Sequence, residues 1–359
     1  MIRETAYAKI NLTLSVGKKR ADGYHDIDSV MHSISLADTI TLEKADTVTL
    51  AVVKGSTPAG RDNLMVKAAE LFFQEKHISS GVSMTLAKEI PSEAGMGGGS
   101  SDAAAILRGL SALYETGDTP ESLAAMGASL GADVPFCVIG GAARCTGIGD
   151  KLTALPPWEA IPLLIVRPGA SVSTAKAYAA IDALPRRRKD STEDCVKALE
   201  TKDRRLLLSS LANDFEDSLF PLNPILKETA AALRSLSRPV LMTGSGSAFF
   251  LVLENREEAA PPSSQTQKSP PPLVRGRSRD HRAKIKPSDA KNPSFYKSAA
   301  CRTFVKWGIL IMKKFIPPSP QRNGPIYITF ISSSLYSFFL KFSACSSTFS
   351  NTSSSHSGG

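Results

Sequence analysis

Apolar and polar residues alternate along "AYAKINLTLSV": Ile10, Leu12, Leu14 and Val16 fall on one face of an extended chain, and Lys9, Asn11, Thr13 and Ser15 on the other. A period of two predicts a half-buried strand, and it sets Lys9 beside Asn11. After the turn signal Asp22-Gly23, strand-like alternation returns in "DTITLEKADTVTLAV". "DNLMVKAAELFFQEK" changes to helical spacing, with Asp62 or Asn63 available as its cap. "GVSMTLAKEIP" predicts another strand, and the Ala/Leu-rich run from Ser100 to about Tyr114 a helix. "PESLAAMGASLGADVPF" predicts a shorter helix that ends near Gly131, with a sharp turn at Asp133-Val134-Pro135.

Beyond that turn, "CVIGGAARCTGIGDKLTAL" predicts paired strands joined by glycine turns. "IPLLIVRPG" reads as a buried strand that opens a second domain, completed by a helical stretch around 192–235 and the strand-like "RPVLMTGSGSAFFLVLE". Helices and strands mix without a regular βαβ repeat, so the expected class is α+β. The expected boundaries are a first domain over 1–157, a second and incomplete one over 158–260, and a tail over 261–359. The tail is rich in Pro, Ser, Lys and Arg and has no sustained periodicity; it reads as disordered or as a frameshift product without evolved function.

Charge follows the same division. The 359 residues carry a formal +9, but the tail holds 15 Lys/Arg against 2 Asp/Glu, leaving 28 against 32 in the remainder. The body is mildly acidic, which argues against a nucleic-acid partner. Cys137, Cys145, Cys195, Cys301 and Cys345 form no CxxC pair, and the N-terminus does not read as a signal peptide; reduced thiols in the cytoplasm are expected. The apolar patches of "GPIYITFISSSLYSFFLKF" are broken by serines and Lys341, so no membrane span is expected.

The densest chemical signal is "PSEAGMGGGSSDAA", with four glycines in five positions before a helix. Gly95, Gly97, Gly98 and Gly99 let the backbone take positive φ and approach a ligand closely. The first N–H groups of the helix lack internal partners, so the loop and Ser100-Ser101 predict an anion site. A Walker motif needs a lysine before the hydroxyl residue, and Lys88 lies ahead of the loop instead. The contiguous glycines also fit a dinucleotide fingerprint poorly. A phosphate ligand is the favoured reading, with a flexible linker between strand and helix as the alternative.

"AKINLTL", "PSEAGMGGGSSDAA" and "MTGSGSAFF" occur in that order and resemble the three motifs of the GHMP kinases, over residues 1 to about 258. The resemblance implies a two-domain fold, with a first domain like domain 2 of ribosomal protein S5 and a ferredoxin-like second domain. It implies ATP, with Mg²⁺ as counter-ion and no identified ligands for the metal, and a small-molecule acceptor, in a monomer or homodimer. "RADGYH" narrows the likeness to the branch whose acceptor is the cytidine-bearing CDP-methylerythritol. Acceptors of the homoserine or mevalonate type, or a non-catalytic nucleotide binder, are the alternatives.

By this resemblance Asp133 is the general base and Lys9 stabilises the charge that develops beside it. Pro91, Ser92, Glu93, Ala94, Gly95, Met96, Gly97, Gly98, Gly99, Ser100 and Ser101 wrap the ATP phosphates, and Asn63 borders the adenine. Tyr24 and His25 hold the cytosine, Asn11 bonds acceptor polar groups, and Gly244, Ser245, Gly246 and Ser247 form the third motif. His32 and His77 read as packing or surface residues. Glu93 departs from expectation by setting a carboxylate in a phosphate loop; it is expected to point away, with slightly weaker ATP binding. The intact mass of the native protein checks the frameshift reading: the full tail found stably folded would overturn it.

Overall fold

A computed structural model describes residues 1–158, 161–184, 190–254 and 327–329. Strands β1 (Ile2–Lys19) and β2 (His25–Ala45) pair antiparallel along their lengths and form the spine of the larger sheet. β3 (Thr49–Lys54), α1 (Leu64–Glu75) and β4 (Gly81–Ala87) follow. Then come helices α2 (Gly98–Tyr114), α3 (Pro120–Gly127) and α4 (Val134–Ile139), and the hairpin β5 (Ala142–Thr146) and β6 (Lys151–Leu155). β7 (Pro162–Val166) leads into α5 (Thr174–Asp182), α6 (Thr192–Thr201) and α7 (Arg204–Ser210). The two-residue β8 (Ala212–Asn213), α8 (Asp214–Leu219), α9 (Pro224–Arg234), β9 (Val240–Met242) and β10 (Phe249–Val252) continue, and β11 (Tyr327–Thr329) is described apart from them.

The larger sheet runs β3-β4-β2-β1-β8, with β5 attached to β2 and β6 to β5; the smaller runs β11-β7-β10-β9. Besides β1, β2 pairs β5 through residues 29–32 and β4 through residues 39–45. The mixed sheets and helices are the α+β class expected. Apart from Tyr327–Thr329, which pair in parallel with β7, the tail and the apolar stretch near the C-terminus lie outside the described residues. Among the described residues no helix is long and apolar enough to cross a membrane.

Local sequence explains most elements. Asn63 caps α1, its Oδ1 accepting from Met65 N at 2.8 Å, and Met65, Ala68, Ala69 and Phe72 form the buried stripe. α2 begins at Gly98, two residues earlier than the alanine run indicated, because Gly97 takes φ +66° and turns the chain directly into the helix.

Two expectations are corrected. The sharp turn at Asp133-Val134-Pro135 is the first turn of α4, with Asp133 at the N-cap position and the proline where a missing N–H costs nothing. "VPFCVI" is apolar throughout and buries Val134, Pro135, Phe136 and Val138, so no period marked it as a helix. Nor is β1 half-buried: residues 8–14 are buried on both faces. Its apolar side chains Ile10 and Leu12 join Leu163, Ile165, Leu199 and Phe250 in one core that runs from the larger sheet into the smaller. Its polar side chains are satisfied by β2: Asn11 Nδ2 donates to Ser29 Oγ at 2.8 Å, Ser29 Oγ to Thr13 O at 2.6 Å, and Val30 N to Thr13 Oγ1 at 3.0 Å. The β1–β2 register shifts between Tyr7 and Lys9 and between Asn11 and Thr13, and such irregularities re-aim side chains.

Asn213, with no exposed surface, pins the second half to this frame. Its Oδ1 caps α8 through Phe215 N at 3.0 Å, and its Nδ2 donates to Met242 O at 2.7 Å and Gly244 O at 2.9 Å. Asn213→Ala removes the cap and strands two carbonyls, so urea unfolding is expected to register a loss of about 2–4 kcal/mol.

Candidate functional site

A cavity of about 1030 Å³ lies where the glycine loop, the middle and end of β1, the β7–α5 connection and the turn between β9 and β10 meet. The loop is built from positive-φ positions, Glu93 at +54°, Gly95 at +73° and Gly97 at +66°. Its shape is imposed from both sides. Lys9 N donates to Met96 O at 3.1 Å, and Ala248 N donates to Ala94 O at 3.1 Å. A Cβ on Gly95 would stand 2.1 Å from Thr243 O, and one on Gly244 2.7 Å from Gly95 O, so the two glycine motifs touch backbone to backbone. Thr243 Oγ1 completes the joint, accepting from Asn11 N at 3.0 Å and donating to Gly95 O at 3.3 Å. Gly98, Gly99 and Ser100 open α2 on the cavity wall, where the first N–H groups of a helix seek acceptors.

Lys9 and Asp133 face each other in this cavity, with Lys9 Nζ 3.3 Å from Asp133 Oδ2. Lys9 is 4% exposed and Asp133 retains 30% of its side-chain surface, so the ammonium is held in a dry wall while the carboxylate is reachable. Asn11 Oδ1 accepts from Lys9 Nζ at 2.8 Å, and because its amide is committed to Ser29 the oxygen cannot turn away. Gly97 packs against the lysine stem: a Cβ there would lie 3.1 Å from Lys9 Cγ.

At the opposite end the cavity has an aromatic corner. Tyr24 is exposed on the turn after β1, whereas His25 is buried. The imidazole stacks on Tyr178 of α5 at 4.8 Å and 19°, and its Nε2 lies 2.7 Å from Asp182 Oδ1. Tyr178 in turn meets Phe215 edge-on at 5.0 Å, and burial pushes its phenol up to about 12, so it stays neutral. Tyr178 and Asp182 were not read from the sequence. "STAKAYAAIDA" reads only as a helix, although their spacing of four places both on one helical face. Ser171 to Thr174 and Lys88, also in the cavity wall, carried no motif.

Glu93 does not point away as expected: it lines the cavity, and its Oε2 accepts from Ser171 Oγ at 2.5 Å, which ties the glycine loop to the β7–α5 connection. Two expected residues stand elsewhere. Asn63 is not part of the cavity wall, since its side chain caps α1 and donates to Pro58 O at 2.5 Å; Leu64 and Thr57 line the wall there. Ser101 is buried and donates to Tyr7 O at 2.6 Å, fastening α2 to β1 and leaving Ser100 at the wall. His32 is a packing residue as read: its Nε2 accepts from Trp158 N at 3.0 Å and burial pushes it down to about 4. His77 is exposed at the end of α1.

A strand lysine thus faces a helix-start aspartate under a loop clasped between two sheets. Residues 63–141 match the family described as GHMP kinases N terminal domain, and residues 195–261 the GHMP kinases C terminal family. A 4-diphosphocytidyl-2-C-methyl-D-erythritol kinase of Moorella thermoacetica is 39% identical, covering 75% of this chain and 96% of that one. The enzyme of that name from Carboxydothermus hydrogenoformans is 40% identical over 71% of this chain and 89% of its own. A crystal structure of 4-(cytidine 5'-diphospho)-2C-methyl-D-erythritol kinase superposes with a TM-score of 0.60 at 36% identity, covering 72% of this chain and 92% of that one. The chain belongs to the 4-diphosphocytidyl-2-C-methyl-D-erythritol kinase family.

The backbone joint can be tested with two alanines. Gly95→Ala meets both a positive φ and a carbonyl, and is expected to lose about 3 kcal/mol or more in chemical denaturation. Gly23→Ala, at φ +88° with no atom within 4 Å of its Cβ, is expected to lose about 1–2 kcal/mol.

Proposed function

We propose that the protein transfers the γ-phosphoryl group of ATP to the 2-hydroxyl of 4-diphosphocytidyl-2-C-methyl-D-erythritol, giving the 2-phosphate and ADP in the non-mevalonate isoprenoid pathway. The observation that carries the reading is the placement of Lys9 and Asp133, 3.3 Å apart, in one cavity with the glycine loop and the aromatic corner. A triphosphate laid along residues 91–100 would meet the open N–H groups of α2, and a cytosine would fit the corner of Tyr24, His25 and Tyr178. Asp182 fixes the imidazole that forms part of that corner.

Asp133 takes the proton from the acceptor hydroxyl, and general base catalysis of this kind supplies about 10²–10⁴-fold. Lys9, oriented by Asn11, offsets the negative charge on the oxygens of the group in transfer, so it need not reorganise as that charge moves. The remaining acceleration in phosphoryl transfer comes from alignment, which the clasped loop and the rigid β1 wall provide. The described residues hold no cluster of three or more His, Cys, Asp or Glu that could bind a metal. Mg²⁺, when bound with the nucleotide, would supply positive charge that offsets the phosphates. Both substrates are small and soluble, and a cytoplasmic location fits them.

ADP release assayed with CDP-methylerythritol, homoserine and mevalonate tests the assignment; activity on homoserine or mevalonate alone would overturn it. Asp133→Asn is expected to bind ATP and lose at least ~10²-fold in kcat. An unchanged kcat would remove Asp133 from the mechanism.

A further inference from the structure

Behind the glycine loop three charged side chains share a dry pocket that the transfer itself does not use. Lys88, following β4, donates through Nζ to Asp38 on β2 and to Asp102 Oδ2 on α2, the latter at 2.6 Å. Lys88 is 7% exposed, Asp38 0% and Asp102 3%. The two carboxylates are not equivalent. Asp38 also accepts from the backbone N–H groups of Glu89 and Ile90, so both of its oxygens have N–H donors. Asp102 has Lys88 on Oδ2 and the Asp38 carboxyl within hydrogen-bonding reach, and its Oδ1 is buried without a hydrogen-bond partner. One ammonium cannot neutralise two carboxylates, and an ionised oxygen buried without a donor is strongly disfavoured.

We propose that Asp102 is held as a neutral carboxylic acid, so that the cluster beneath the phosphate site carries no net charge and does not repel a nucleoside triphosphate. The location gives the neutrality its purpose. A Cβ on Gly98, the first residue of α2, would stand 3.1 Å from Lys88 Nζ, and Lys88 itself lines the cavity. A net negative charge here would cancel part of the positive end of the α2 dipole and repel its anionic ligand. Burial, then the charge of Asp38, pushes the Asp102 carboxyl up to about 8 against the pull of Lys88. From the other elements around α2, Lys9 on β1 is engaged by Asn11 and Asp133. The Cys137 thiol on α4 is pushed up by burial and stays neutral. The buried residues of α1 and α3 are apolar or glycine.

An acid whose folded pKa lies above its unfolded value binds its proton more tightly in the folded chain. Its contribution to stability is complete below about pH 4 and is lost as pH rises toward about 8. Asp102→Asn has no such slope. Melting temperatures without nucleotide, from about pH 5 to pH 9, should therefore show the variant gaining on the wild type as pH rises to about 8. The Kd of ATP by calorimetry should weaken at least about threefold more in the wild type than in Asp102→Asn between about pH 7 and pH 9. Parallel melting profiles, or ATP affinities with the same pH dependence in both proteins, would overturn the proposal. If the variant does not fold, the infrared carbonyl band of a neutral carboxylic acid decides. It should be present in the wild type at about pH 6.5 and lost through about pH 8, and its absence at the lower pH counts against the proposal. Only the ligand's name rests on the proposed function. Neither measurement uses the acceptor, so a failed CDP-methylerythritol assay leaves both readouts standing.

Discussion

Contact between Gly95 and the Thr243-Gly244 turn governs the geometry of the site. Two backbones approach to a distance that any Cβ would prevent, and Thr243 Oγ1 and Ala248 N lock them together. The glycine loop is thus not a free ribbon. It is pressed into shape by a strand turn from the other sheet, 148 residues away in the chain. Because Lys9 N holds Met96 O from the opposite side, the same clasp fixes the distance between the loop and the lysine. Alignment of this kind is what phosphoryl transfer mainly requires of a protein.

Electrostatics is layered on that frame. Placing an ammonium in a wall with 4% exposure is unfavourable by several kcal/mol unless partners replace the lost water. Asn11 and Asp133 are those partners, and the chain Lys9–Asn11–Ser29–Thr13 passes the demand for hydrogen bonds along β1 until the backbone satisfies it. The half-exposed carboxylate of Asp133 is the one member left open to a reactant. A second ammonium, Lys88, is sequestered by two acids behind the loop, so the cations near the phosphate site are held in fixed places.

Local periodicity made the α+β class, the β1 alternation, the α1 cap and the loop-to-helix passage legible in the sequence. The catalytic candidates Lys9 and Asp133 were visible as residue types, but their 3.3 Å approach depends on a bulged strand and a helix without periodic signal. What stayed hidden arises from distant pairing. The polar face of β1 is buried because β8 and α6 arrive from beyond residue 190, and no local pattern encodes that cover. Tyr178 and Asp182 acquire meaning only once α5 meets His25. Glu93, expected to point away, has Ser171 opposite its carboxylate instead, a contact between segments that no local pattern encodes. Asn63 and Ser101 show the converse: residues close to a motif in sequence are taken up by capping and docking.

The burial of β1 on both faces also imposes an order on synthesis. The strand bearing Lys9 is nearly the first to leave the ribosome, yet Asn11 must wait 232 residues for the Thr243 hydroxyl that closes over it. At about 5–20 residues per second that interval is about 10–50 s, during which Ile10 and Leu12 lack the partners that Leu163 and Phe250 later supply. A nascent chain of this protein therefore spends most of its synthesis with its sheet spine uncovered. The site closes only when its third glycine segment is made, although Lys9 is among the first residues synthesised.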